Sequence, residues 1–321
     1  MSVFVTGASG FVGGAAARAL AKGFPVRAMS RSERSDAAIS ALGAEPVRCT
    51  LDDVRPEHLA GCRAVVHAAA HVEAWGPWRA YWQANVEGTR NMLHAAQEAG
   101  VRRFLHIGTE AALFYGQHMR DIDETYPLAL NSPFPYSRTK AHAEKLVRAA
   151  TDPAAGFETL VVRPRMVWGP DDTTILPEVR KMAEAGQFMW IDGGRARTDT
   201  THIDNLVHGI LLALEKGRGG EAYFVTDGEV RTVRAFLTDL MATAGVRLPD
   251  RTLPGPVARG AAYAVEKTWR ALGLKPAPPI TRFAANIMSR DCTIDISKAR
   301  RELGYAPQVS VADGLAALRA A

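Results

Sequence analysis

The chain has 321 residues, 47% hydrophobic and 23% charged, a balance that excludes disorder and fibrous architecture and leaves room for a two-lobed globule. Its formal charge of +5 is spread without a dense Lys/Arg run, which sets aside nucleic acid and a membrane surface as partners on sequence grounds. Cys49, Cys62 and Cys292 show neither CxxC nor Cys/His spacing and form no even set, so a reducing compartment and no metal site are expected.

The first apolar run, at Val3–Val5, has no basic-then-apolar leader before it, and no window offers about 18 uninterrupted apolar residues. A cytoplasmic protein without a membrane span is expected. Short β-branched runs then alternate with longer Ala-rich amphipathic stretches, the pattern of βαβ units on a parallel sheet. Strands are predicted near Val3–Val5, Val26–Met29, Val47–Cys49, Ala64–His67, Phe104–Ile107 and Leu160–Val162. Helices are predicted at Phe11–Lys22, Glu33–Leu42, Trp78–Ala99 and Tyr136–Ala149. Six strands match a doubly wound α/β fold. Beyond Arg163 the rhythm breaks at Pro164, Gly169, Pro170 and Pro177, and a helix carrying Tyr263, Val265 and Trp269 is bracketed by Pro-rich connectors.

The first strand runs straight into Gly7, Gly10 and Gly13, and an Ala-rich helix follows. Gly7 allows the sharp turn, Gly10 lets a pyrophosphate approach the backbone, and Gly13 allows close helix packing, while the helix N-terminus offers unpaired N–H donors. Residues Gly7, Ser9, Gly10, Phe11, Val12 and Gly13 are therefore candidates to hold a dinucleotide. The second strand ends Val26-Arg-Ala-Met-Ser-Arg31. Ser30 stands where an acid would accept from a ribose 2′-OH, and Arg31 beside it suits a 2′-phosphate, so NADP(H) is favoured over NAD(H), which stays possible.

Tyr136 and Lys140 are four apart and share a face of the helix predicted from Tyr136. A phenol that titrates near pH 10 needs a nearby cation to work near neutrality, and Lys140 is placed to supply it. Thr109 ends the fifth predicted strand, where the carboxyl ends of a parallel sheet line the ligand crevice, so its hydroxyl is expected beside Tyr136.

Together, Thr6-Gly-Ala-Ser-Gly-Phe-Val-Gly13, His67-Ala-Ala-Ala70, Asn85-Val-Glu-Gly-Thr89, Thr109, Tyr136-Ser-Arg-Thr-Lys140 and Arg163-Pro-Arg-Met-Val-Trp-Gly-Pro170 resemble the ordered landmarks of the extended short-chain dehydrogenase/reductase family. The resemblance covers almost the whole chain and is greatest to bacterial 3β-hydroxysteroid dehydrogenase-like and dihydroflavonol reductase-like members. It implies a Rossmann domain over residues 1–165 that binds NADP. It also implies a smaller, irregular substrate-binding lobe over 166–321, some of whose segments return to the sheet. It makes Tyr136 the general acid/base, Lys140 its activator and a nicotinamide-ribose contact, and Thr109 the residue that orients the reacting oxygen. It places Ala68, Ala69 and Ala70 along the cofactor cleft and Pro164 and Met166 beside the nicotinamide. Thr109 replaces the family's commoner serine, adding a methyl that stiffens χ1. The usual Gly-Asp-Leu after the third strand reads Cys49-Thr50-Leu51 here. Leu51 is kept as a cofactor contact, while Asp52 or Asp53 either replaces the missing acid or caps the next turn.

On the substrate side, Glu73-Ala-Trp-Gly-Pro-Trp-Arg-Ala-Tyr-Trp82 holds three of the six tryptophans. Trp75 in the loop is the substrate candidate; Trp78, Tyr81 and Trp82 fit a pocket or a packed helix stripe equally. Glu110, next to Thr109, and Trp168 are further substrate candidates, and Trp190 is a possible part of a lid. The expected reaction is hydride transfer between NADP(H) and a small, hydrophobic ketone or secondary alcohol, ring-containing ones included. Nucleotide-sugar epimerase or dehydratase activity and a catalytically silent NADP-sensing scaffold are the alternatives. A homodimer is the expected oligomer, if any.

Overall fold

The computed structural model describes residues 2–73 and 75–320; Ala74, inside the aromatic segment, lies outside them. Seven parallel strands form the central sheet: β1 (Ser2–Thr6), β2 (Val26–Ser30), β3 (Glu45–Arg48), β4 (Cys62–His67), β5 (Arg103–Ile107), β6 (Glu158–Arg163) and β7 (Ala222–Phe224). Their order is 3-2-1-4-5-6-7, with every neighbour paired in parallel. The expected six strands gain a seventh, which pairs Ala222 with Val161 and Phe224 with Arg163. The strand order reverses between β1 and β4, and the crevice beyond the carboxyl ends there is where ligands bind in such sheets.

Both faces of the sheet are covered, as the near-continuous apolar runs of its parallel strands require. Val3, Val5, Val66, Leu105 and Val162 pack on one side with Ala16, Ala17 and Leu20 of helix α1 (Phe11–Leu20). Phe4, Val65, Phe104 and Val161 face the other side, against Met92 and Ala96. Helix α2 (Glu33–Ala41) starts at Ser32, which accepts from Ser35 N as its N-cap. The predicted helix at Trp78–Ala99 is three consecutive pieces: α3 (Trp78–Trp82), a π-helical turn at Gln83–Glu87, and α4 (Gly88–Glu98). Helix α5 (Pro135–Ala149) follows, with Pro at its first position, where no N–H is needed.

Beyond residue 166, helices α6 (Ile175–Glu184), α7 (Ile203–Lys216), α8 (Val233–Thr243), α9 (Gly255–Ala271) and α10 (Arg282–Ile287) are joined by short strands. Helix α7 packs on α1 and β5, leading back to β7. A separate apolar cluster around Phe188, Trp190, Phe236 and Leu240 supports the remainder. Asp227 ties this region together: its buried carboxylate accepts from Trp168 Nε1 (2.9 Å), Thr200 Oγ1 (2.7 Å), His202 N (2.6 Å) and Asn205 Nδ2 (2.8 Å). Four donors satisfy a carboxylate that burial would otherwise destabilise.

Candidate active site

The glycine turn has the geometry a dinucleotide requires. Gly7 sits at φ +73°, and a Cβ there would lie 2.9 Å from Ala69 N; a Cβ on Gly13 would lie 2.2 Å from Gly7 O. Gly10 N donates to Gly7 O at 2.9 Å, Ser9 and Gly10 are exposed, and α1 begins at Gly10 without a side-chain cap. The first N–H groups of the helix therefore face the crevice unclaimed by protein side chains, as an anion-binding terminus needs. Phe11 and Val12, in the first turn of the helix, are half-buried.

A buried hydrogen-bond chain fixes the opposite wall. Thr89 Oγ1 donates to Asn85 O (2.7 Å), so it accepts from His67 Nε2 (3.0 Å). His67 Nδ1 is then the acceptor for Thr6 Oγ1 (2.8 Å), which accepts in turn from Ala69 N (3.0 Å). Burial and the Lys140 charge hold His67 down to about 3, so it stays neutral and keeps this tautomer. Half-buried Ala68, Ala69 and Ala70 are thus locked where β4 ends. Asn85, turned inward by the π-helical turn, grips the next residue: its side chain accepts from His71 N (2.7 Å) and donates to His71 O (3.1 Å) and Thr139 Oγ1 (3.1 Å). The sequence landmark contained Asn85, but only its mid-helix polarity hinted at this task.

At the end of β2 the side chains divide. Ser30 is buried and its hydroxyl is engaged with Ser35 Oγ (2.7 Å) and Ser32 O (3.2 Å), which corrects its reading as a free contact to a ribose. Arg31 is exposed and, among the described residues, makes no ion pair. After β3, Asp53 accepts from Thr50 N (2.5 Å) and Thr50 Oγ1 (2.7 Å), closing its own turn, and Asp52 accepts from Gln83 (2.8 Å). Leu51 is half-buried against Gly88, where a Cβ would meet its side chain at 2.8 Å.

The catalytic candidates converge. Tyr136 and Lys140 lie in the first turns of α5, and Thr109 follows β5, close enough for its hydroxyl to act on the Tyr136 phenol. Burial pushes that phenol above its usual value and the Glu110 carboxylate pushes it further, while the Thr109 hydroxyl offsets part of the rise. Lys140 Nζ donates to Ile107 O (2.7 Å) and meets His106 Nε2 at 3.0 Å. Burial lowers the lysine to about 8, with Glu144 opposing the fall. The i, i+4 spacing makes Lys140 the expected leading influence on Tyr136; in this structure the charge acting on the phenol is Glu110's.

Glu110 is also corrected as a direct substrate contact. It is buried, with Oε1 paired to Arg165 Nη1 (2.5 Å) and Oε2 accepting from Thr109 Oγ1 (2.8 Å). Both oxygens are taken, so Glu110 acts through Thr109. Arg165 donates in addition to Thr198 Oγ1 at 2.9 Å. A second buried pair anchors the helix that carries Tyr136: Arg163 Nε lies 3.1 and 3.0 Å from the two Glu144 oxygens, both residues fully buried. Neither arginine stands out as a site residue from sequence; charged residues inside an apolar strand end are the available signal. Pro164 is buried, its carbonyl accepting from Glu110 N at 3.4 Å, and Met166 is half-buried with φ +41°, a backbone strain of the kind concentrated at functional sites.

The aromatic candidates separate. Trp168 is fully buried, packed on His202 and Phe236 with its N–H on Asp227, so it is core and has no face for substrate. Trp190 is likewise buried, against Phe188. Trp78 and Trp82 meet in a tilted pair at 5.6 Å, with Arg138 over Trp78 and His142 of α5 against Trp82, and Tyr81 is buried with its hydroxyl on Glu73 O (2.6 Å). Trp75 reaches α9, under the Arg270 guanidinium at 4.8 Å. Phe283 of α10, which sequence reasoning missed, meets the Tyr136 ring edge-on at 5.9 Å.

Comparison with known proteins places this geometry. The model of the NAD dependent epimerase/dehydratase family matches residues 3–226. A 4-hydroxy-2-methyl-3-oxo-4-farnesyl-3,4-dihydroquinoline-1-oxide ketoreductase of Stigmatella aurantiaca is 44% identical over 324 residues, covering 100% of this chain and 96% of that protein. A 2-alkyl-3-oxoalkanoate reductase of Stenotrophomonas maltophilia is 34% identical, covering 100% of this chain and 99% of that protein. Among solved structures, a dTDP-glucose 4,6-dehydratase of Streptomyces venezuelae with NAD bound superimposes with a TM-score of 0.78 at 25% identity, covering 100% of this chain and 96% of that one.

Proposed function

The chain belongs to the NAD dependent epimerase/dehydratase family and is an oxidoreductase, and we propose that it carries out hydride transfer between NADP(H) and a hydrophobic ketone or the corresponding secondary alcohol. The observation that carries this reading is the convergence of Thr109, Tyr136 and Lys140 at the carboxyl end of β5, two strands from the glycine turn that ends β1. The turn at Gly7–Gly13 with Ala68–Ala70 is suited to the dinucleotide, since a Cβ at Gly7 or Gly13 would close the cradle. Arg31, exposed beside an inward-facing Ser30, is suited to a 2′-phosphate.

When bound, NADP(H) supplies or takes the hydride. Reduction also needs a proton at the substrate oxygen, and Tyr136, kept protonated by burial and by Glu110, gives it; in the oxidation direction the alcohol oxygen gives its proton to the Tyr136 phenolate oxygen. Thr109, held by Glu110 and capping Ala111 N at 3.2 Å, orients the reacting oxygen. Lys140 supplies positive charge on the same helix face. Phe283, over Tyr136, excludes water from that side. The substrate class is supported by the two relatives whose names specify a farnesylated ketone and a 2-alkyl-3-oxoalkanoate.

The test is a panel of hydrophobic ketones and alcohols assayed with NADPH and with NADH, on the full chain and on Tyr136→Phe. Turnover of at least one hydrophobic ketone with NADPH is expected, abolished in Tyr136→Phe with cofactor binding retained. Tightly bound NAD with conversion of a nucleotide sugar would instead favour an epimerase or dehydratase, the activity named for the structural neighbour.

A further inference from the structure

The positive charge that looks scattered in sequence is concentrated in the fold. Residues 255–282 carry Arg259, Lys267, Arg270, Lys275 and Arg282 against the single acid Glu266, a net charge of four on α9, its connection to α10 and the first residue of α10. The same segment exposes large apolar side chains: Val257 and Tyr263 are each 54% exposed, Leu272 66% and Leu274 39%.

Helical spacing organises these residues. Gly255, Ala258 and Ala262 face inward and are buried. Val257, Ala261, Ala264, Thr268 and Ala271 recur at helical spacing on the opposite side, and all are exposed. That outer stripe contains no charge; by the same spacing Lys267 and Arg270 border it along one side and Lys275 follows beyond the helix, while Arg259 turns inward to donate to Ser289 Oγ at 3.0 Å. An uncharged outer face bordered by Lys and Arg is the pattern of a helix lying in a lipid–water interface.

The position of the segment gives the pattern a use. Arg270 covers Trp75 at 4.8 Å, Arg282 lies 5.2 Å from the Tyr263 ring, and the next residue, Phe283, covers Tyr136. The face therefore borders the end of the molecule where Tyr136 works.

We propose that this face docks on an anionic lipid bilayer, the uncharged stripe of α9 with Leu272 and Leu274 entering the interface and the exposed Lys267 and Lys275 meeting the headgroups. A second copy of the chain does not fit, because symmetric pairing would set this net charge of four against itself. A nucleic acid does not fit either, since the uncharged stripe has no donors for a phosphate backbone. Docking in this orientation would let a hydrophobic ketone pass from the bilayer towards Tyr136 without crossing water. That last consequence rests on the proposed substrate class; the docking itself does not.

The experiment is sedimentation of the full chain with vesicles of phosphatidylcholine alone or of phosphatidylcholine mixed with phosphatidylglycerol. The chain is expected to sediment with the mixed vesicles, to remain in solution with phosphatidylcholine alone, and to be released by salt. The double variants Leu272→Asp/Leu274→Asp and Lys267→Glu/Lys275→Glu are each expected to bind at least about tenfold more weakly, with an unchanged thermal transition and unchanged turnover of a water-soluble ketone. Failure of the wild-type chain to sediment with the mixed vesicles, or variants that bind as it does, overturns the proposal. So does a wild-type oligomer that dissociates in Leu272→Asp/Leu274→Asp, because the face would then belong to a second copy. If the chain sediments as expected yet reduces no ketone, the docking stands and the proposed substrate class fails.

Discussion

Lys140 is the most quantitative handle on the site. Its side chain is 3% exposed and burial lowers it from 10.5 to about 8, although its ammonium donates to Ile107 O. Between those two values the unfolded chain binds a proton that the folded chain has released, so this group makes stability rise with pH from about 8 to 10.5. A tenfold change in proton affinity is worth about 1.4 kcal/mol, which puts the full effect at about 3 kcal/mol. Other buried groups act in the opposite sense: Cys49 and Cys292 are pushed up to about 11 and about 12, and each lowers stability as pH climbs past 9. Comparison with Lys140→Met isolates the lysine. Unfolding free energies from urea titrations at pH 7 to 10.5 are expected to diverge steadily, wild type gaining on the variant by about 3 kcal/mol across the range. Parallel curves would refute the reasoning, because they would mean that the buried ammonium costs the folded chain nothing.

Glu110→Gln leaves Arg165 buried without its counter-charge and is expected to cost about 3–5 kcal/mol of stability by denaturant unfolding. The same change removes the carboxylate that raises the Tyr136 phenol, so the alkaline limit of ketone reduction should move to lower pH; an unmoved limit would contradict the assignment. Gly13→Ala drives a Cβ to 2.2 Å from Gly7 O and should destabilise the chain by about 1–3 kcal/mol or more. Gly10→Ala, whose nearest contact is 3.4 Å, should keep the thermal transition while weakening dinucleotide binding, measured by titration; undiminished binding would count against the turn as the pyrophosphate site. Arg31→Ala is expected to lower the NADPH-to-NADH ratio of kcat/KM by about tenfold or more, the worth of a lost charge-assisted hydrogen bond, and an unchanged ratio would remove Arg31 from cofactor selection.

What was legible in the sequence is what local chain geometry enforces. Positive φ at Gly7 and the close helix–turn contact at Gly13 both exclude a side chain, so the spacing of these glycines carries the shape of the turn directly. Short β-branched or apolar runs set between Ala-rich amphipathic stretches marked the first six strands. The seventh, Ala222–Phe224, is three residues long and takes its identity from β6, so it has no periodicity to read. Trp168 misleads as a substrate contact for a related reason: its burial depends on Asp227, 59 residues away, and nothing near the tryptophan announces that partner. The buried pairs extend the point from packing to chemistry. Tyr136 and Lys140 are visible at i and i+4, but the influences that tune them come from Glu110, across the site on another element, and from Glu144, one turn further along α5. Each of those carboxylates is held by an arginine from the segment that ends and follows β6, Arg165 for Glu110 and Arg163 for Glu144. In the proposed reaction the motif names the atoms that would move the proton, while the two arginines, through the carboxylates they hold, help set the pH at which those atoms could do so.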